Sequence, residues 1–138
     1  MTEPEPDPEP ESDDRYTVGL TTAMALFAGS PELPDFAVPA EIASDWGELS
    51  MATVMGDVWS RPGLGARDRS LITVALLTAL GRPDQLRAYL GVGLNQGLTR
   101  SELCEAILHT SVYAGFPAAI EGFRVAAEVF DRYDSPSP

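Results

Sequence analysis

The chain has a single histidine, His109, inside the otherwise apolar run ILHTSVYAG. An imidazole is the side chain best matched to moving a proton near neutral pH. Tyr113 follows four residues later, one turn along the same face of a helix, whereas Thr110 points elsewhere. A base and a phenol on one face suit binding or protonating an anionic, aromatic or enolic ligand. The same imidazole among apolar residues is also what a buried, hydrogen-bonded core histidine looks like. Residue types alone leave both roles open.

Other chemistries are excluded more firmly. The chain has no lysine; all nine basic residues are arginines. That removes Schiff-base chemistry and a lysine-anchored pyridoxal phosphate. It also removes a Walker lysine. The run GVGLNQG has G-x-G-x-x-x-G spacing and no strand before it, so it lacks the mechanism of a dinucleotide loop. One histidine and one cysteine are too few for an ordinary metal site, and no metal or other cofactor is expected. Cys104 lies beside Glu102 and Glu105, which disfavour a thiolate; it reads as a packed thiol.

Composition sets the setting. The net charge is −12, and seven of the 21 acids lie in the opening MTEPEPDPEPESDD, leaving −5 on the rest. This balance argues against nucleic acid or an anionic membrane as partner. No apolar run reaches a membrane span, and the acidic start has no leader-like pattern. A lone cysteine predicts a reducing, cytoplasmic setting. Residues 1–14, alternating proline with acids, should be a solvated tail, and DSPSP at 134–138 a frayed end.

The elements that must carry His109 are all helices. Tyr16, Leu20, Ala23, Met24 and Phe27 repeat at helical spacing, and Gly29 and Ser30 end that stretch. SPELPDFAVP, with three prolines, reads as an irregular crossing. Residues 40–58 read as one helix, Pro39 lying at its first turn and Gly47 a weak point. After the loop WSRPGLGARD comes a helix over 66–80, whose LITVALLTAL lacks a polar face and is expected to be buried on all sides. Gly81 and Pro83 turn the chain into a helix over 84–96, forming an antiparallel hairpin. Thr99 and Glu102 form a capping box for a helix over 100–114. Pro117 opens the last helix, with Ile120, Phe123, Ala127 and Phe130 as its apolar face. The reading is all-α: one domain over 15–134, a bundle of about six helices around a central hairpin.

With these elements in place, the chain resembles the carboxymuconolactone decarboxylase family over nearly all its length beyond the acidic tail. The resemblance rests on RYTVGL at 15–20, GDVWSRPGL at 56–64, GRPDQLRAYLGVGLNQGLTRSEL and LHTSVYAGFPAAIEGFRVA. It implies an all-helical subunit whose hairpin packs against neighbours, commonly in a hexamer built as a trimer of dimers, with pockets near subunit contacts. Better-known members remove carbon dioxide from a lactone acid without a cofactor. Peroxidase relatives use a cysteine pair with a glutamate and a histidine. This chain departs from those patterns: Ser70 stands where a glutamate is usual, Tyr89 where a histidine is usual, Gly91 where an arginine follows, and the cysteine pair is missing.

The departures redirect the chemistry. Loss of carbon dioxide leaves a carbanion or enolate that must be stabilised and protonated. Ser70 is no carboxylate base, and Tyr89 is a hydrogen-bond donor but a poor base. Thiol peroxidase chemistry needs two cysteines. The expectation is a cofactor-free lyase or isomerase acting on a small aromatic or enolisable acid or lactone of specialised metabolism, by decarboxylation, isomerisation or ring closure. His109 would be acid and base, Tyr89 the oxyanion donor and Ser70 a positioning hydroxyl. Arg61 would clamp the anion, with Trp59, Tyr113 and Phe116 as walls; bracing the loop and filling the core are the plain alternatives for Arg61 and Trp59. The competing expectation is a non-catalytic binding or assembly protein that kept the fold.

Overall fold

The computed structural model describes residues 2–4, 12–30 and 37–135. Most of the acidic tail, most of the crossing segment and the last three residues lie outside these. The described residues contain α1 (Ser12–Phe27), α2 (Ala43–Ser50), a π-helical run (Met51–Trp59), α3 (Ala66–Leu80), α4 (Pro83–Asn95), α5 (Arg100–Ala114) and α6 (Phe116–Asp134), and no strand. The fold is an all-α bundle. Helix α1 opens at Ser12, inside the segment read as tail. Among the described residues no helix is long and apolar enough to cross a membrane.

Backbone contacts divide the chain into two units, Met1–Ala25 with Val38–Arg61, and Leu26–Ala37 with Pro62–Pro138. In the first unit α1 meets the π-helical run backbone to backbone. A Cβ on Gly19 would lie 2.3 Å from the Met51 carbonyl oxygen, and one on Gly56 would lie 2.4 Å from that of Arg15. Only glycine permits so close an approach. One turn along, Arg15 Nε donates to Asp57 Oδ1 at 2.9 Å and the second nitrogen to Oδ2, a bidentate pair. Residues 40–58 are therefore not one α-helix. The path stays helical through Gly47 but widens to i→i+5 bonding from Met51, as in Ser60 N–H to Met55 O at 3.2 Å.

The second unit holds α3 to α6, with α3 packed on α4 and α5, and α6 on α4 and α5. Its core includes Val74, Leu86, Leu90, Leu103, Ile107 and Val129, all 0–1% exposed. Gly81, left-handed at φ 68°, ends α3, and Pro83 starts α4 at a position where its missing N–H costs nothing. The capping box of α5 is formed: Glu102 N–H donates to Thr99 Oγ1 at 3.0 Å, and Thr99 N–H donates to Glu102 Oε1 at 3.1 Å. Thr99→Ala leaves one first-turn N–H without its acceptor. It should cost about 1 kcal/mol in a urea titration, with an unchanged denaturant slope.

Two expected faces are corrected. Within the single chain, helix α3 is not buried all round: Ile72, Leu76 and Leu80 are 46%, 55% and 63% exposed, while Ser70, Val74 and Thr78 face inward. The inward hydroxyls are satisfied within their own helix, Ser70 by the Ala66 carbonyl at 2.6 Å and Thr78 by that of Val74 at 2.8 Å. Burying them therefore leaves no orphan donor. In α6 the core face is Ala119, Gly122, Val125, Ala126 and Val129, with Phe130 packed against it as expected, whereas Ile120, Phe123 and Ala127 are exposed. Small residues win that face because α6 lies close to its neighbours: a Cβ on Gly122 would fall 2.8 Å from Thr78 Cγ2.

Candidate active site

Helix α5 presents a polar column on an otherwise apolar groove. The groove lies between α3 and α5 in the second unit, has a volume of about 820 Å³, and is open to solvent. Its α3 wall is Leu71, Ile72 and Ala75; from α5 come Ser101, Glu102, Glu105 and His109, with Leu108 and Val112. One wall is purely apolar and the other supplies the polar groups. A flat ligand laid here has its ring against α3 and its heteroatoms against α5.

His109 is exposed rather than a buried core histidine. Its ring sits 5.2 Å from that of Tyr113 at 41°, the one-turn pairing expected from the sequence. Thr110 turns inward and donates to the Ala106 carbonyl at 2.9 Å. Tyr113 is 80% exposed, and Phe116, the first residue of α6, is 73% exposed. Helix α5 thus gives the groove an imidazole and two carboxylates, with a phenol beside the imidazole.

The other expected site residues are not among those lining the groove. Ser70 is 0% exposed, its hydroxyl given to Ala66, and it does not line the groove. Tyr89 lies on α4 with its ring edge against Phe27, centroids 5.9 Å apart and 67° between planes. Burial pushes the Tyr89 phenol above its ordinary value, which keeps it a donor rather than a base. Gly91 is enclosed: a Cβ there would lie 2.7 Å from Ser30 Oγ and 2.8 Å from the Tyr133 hydroxyl. Tyr133 Oη donates to the Gly91 carbonyl at 3.3 Å. The space into which an arginine at this position would begin to grow is taken by Tyr133. Trp59, buried, and Arg61, exposed, belong to the first unit.

Sequence reasoning missed Glu105 as a site residue and read Glu102 only as a cap. The available signal was spacing: Ser101, Glu105, His109 and Tyr113 recur every four residues, one face of a helix. Glu102 is held ionised. The Thr99 N–H bonded to its carboxylate, and then the Arg67 guanidinium beside it, keep its pKa below the ordinary carboxylate range.

Four further carboxylates are lowered in the same direction by arginine partners: Asp57 by Arg15, Glu121 by Arg124, Glu128 by Arg87 and Asp134 by Arg100. A carboxyl that is more acidic folded than unfolded stabilises the fold above its unfolded pKa. That contribution is lost as pH falls through the folded value. The melting temperature should therefore be flat above roughly pH 5 and fall below roughly pH 4. The fall should be smaller at about 1 M salt, because these pairs are exposed and screened. Melts over this pH range at two salt concentrations check it.

The model of the family described as carboxymuconolactone decarboxylase matches residues 44–128. The chain belongs to the carboxymuconolactone decarboxylase family. Within that family it is 55% identical over 75 residues to 4-carboxymuconolactone decarboxylase of Acinetobacter baylyi, covering 54% of this chain and 56% of that protein. It is 36% identical over 84 residues to nitrosuccinic acid decarboxylase of Metarhizium robertsii, covering 61% of this chain and 59% of that protein. An uncharacterised 15.0 kDa protein of Paracoccus denitrificans is 31% identical over 100 residues, 70% of this chain and 68% of that protein. The chain spans little more than half the length of the two decarboxylases it matches.

Proposed function

We propose that this chain is a cofactor-independent lyase that removes carbon dioxide from a small, flat carboxylic acid or lactone acid. The observation that carries the reading is His109 lining a groove whose other wall is apolar, with the Tyr113 ring 5.2 Å from its own but outside the lining. In the reaction the carbon–carboxylate bond breaks, and its electron pair enters a neighbouring carbonyl as an enolate. Carbon dioxide leaves, and the protonated imidazole of His109 delivers the proton to carbon. Tyr113 and Phe116, both exposed, are proposed as walls although neither lines the groove, and burial raises the Tyr89 phenol, which keeps it a donor rather than a base. Isomerisation or ring closure would pass through the same enolate. Decarboxylation is preferred because two relatives bear that activity in their names. Ser70 takes no part in this reading, since its hydroxyl is enclosed and already bonded.

The proposal includes self-association. Ile72, Leu76 and Leu80 on α3, Val112 on α5 and Ile120 on α6 are 46–76% exposed, apolar surface that a neighbouring copy would cover. Native mass spectrometry of the purified chain, alone and with 4-carboxymuconolactone, tests both parts. The expected spectrum shows a homo-oligomer whose bound acid loses the mass of carbon dioxide. A ligand retained unaltered would overturn the lyase reading in favour of a binding protein, and a monomer would overturn the assembly.

A further inference from the structure

We propose that Arg67 is a specificity-determining residue of the α3–α5 groove, its guanidinium taking the non-reacting carboxylate of a dicarboxylic substrate. The inference rests on the groove being the substrate site. The lining brings two carboxylates, Glu102 and Glu105, and one imidazole. An acid entering it meets like charge unless a cation is supplied. Arg67, on the first turn of α3, is outside the lining but at its edge: its Nη2 donates to Oε2 of Glu102, a lining residue. Arg87, Arg100 and Arg124 bind Asp84, Glu128, Asp134 and Glu121, none of which line the groove.

The guanidinium is held, not merely near. Glu102 is fixed at its other oxygen by the Thr99 N–H, so the cap that starts α5 also sets where Arg67 sits. Nη1 reaches Asp68 only at 4.0 Å, beyond hydrogen-bonding range. Part of the planar donor fork therefore still faces outward, and the side chain is 47% exposed. Glu102 and His109 lie seven residues apart on α5, two turns and an axial span of about 10 Å. A short dicarboxylate fits that gap, with one carboxylate on Arg67 and the carbon that loses the other near His109.

The test uses succinate as probe and the lone histidine as reporter. In NMR spectra of the full chain, succinate should shift the His109 ring signal saturably, and neutral succinamide should bind far more weakly. Arg67→Gln should weaken succinate binding by about tenfold or more, with Arg67→Lys between the two. With a turned-over dicarboxylate, Arg67→Gln should raise KM by a similar factor while kcat stays within about twofold. A melting curve matched to the wild type shows that the fold is retained. The proposal is overturned if succinate leaves the His109 signal unmoved, if succinamide binds as well, or if Arg67→Gln binds succinate like the wild type. Absence of carbon dioxide release with succinate binding intact would sink the lyase reading and leave this site standing.

Discussion

Replacing His109 by alanine should lower kcat by roughly 10²- to 10⁴-fold, the usual worth of a positioned acid–base group. That corresponds to about 3–5 kcal/mol of transition-state stabilisation. No second histidine exists to substitute. Tyr113, the ring beside it, is a phenol rather than an imidazole. The imidazole is exposed and makes one ring contact, so the melting temperature should move little. Steady-state kinetics with a parallel melt separates the outcomes. A large fall in kcat at unchanged stability assigns the role to chemistry. A fall in both would mean that His109 supports the fold.

The second large effect concerns the scaffold beneath that residue. Leu103→Ala should destabilise the chain by about 2–5 kcal/mol, a large part of the roughly 5–15 kcal/mol that holds a domain together. Leu103 is 0% exposed in the core of the second unit. Its Cδ2 lies 3.1 Å from where a Cβ on Gly93 would be, so α4 and α5 are close here and cannot easily collapse into the gap. The cavity term is then added in full to the lost transfer energy. Urea unfolding should show a lower midpoint with an unchanged slope. The same substitution loosens the helix that carries Glu102, Glu105 and His109, so activity should fall at temperatures where the wild type is stable.

Local signals in the sequence were read well because they act locally. Gly81 with Pro83 fixes the α3–α4 turn, and Thr99 with Glu102 fixes the start of α5; both α3 and α5 occupy the expected residues. The faces were not legible. LITVALLTAL is apolar all round, so nothing in its pattern says that Ile72, Leu76 and Leu80 turn outward while Ser70 and Thr78 turn inward. That choice is made by tertiary packing and by hydroxyls that bond their own helix. The widening at Met51 was equally hidden, arising beside a contact between Gly19 and a residue more than thirty positions away.

The site was half legible for the same reason. His109 and Tyr113 follow from one-turn spacing and are brought together. Ser70 was chosen by position in a motif, and its burial depends on neighbours the motif does not contain. Glu105 was visible as one turn before His109, yet its meaning requires knowing that α3 supplies an apolar wall opposite. Arg67 gains its place only through Glu102, whose double use as cap and groove lining joins two helices 35 residues apart in sequence.

The most direct measurement is carbon dioxide release from 4-carboxymuconolactone by the purified chain in deuterated water, with His109→Ala alongside. The account predicts carbon dioxide from the wild type, one deuterium on a carbon of the product's former enolate system, and loss of both in the variant. Carbon dioxide released equally by His109→Ala, or none released by the wild type at all, would contradict it.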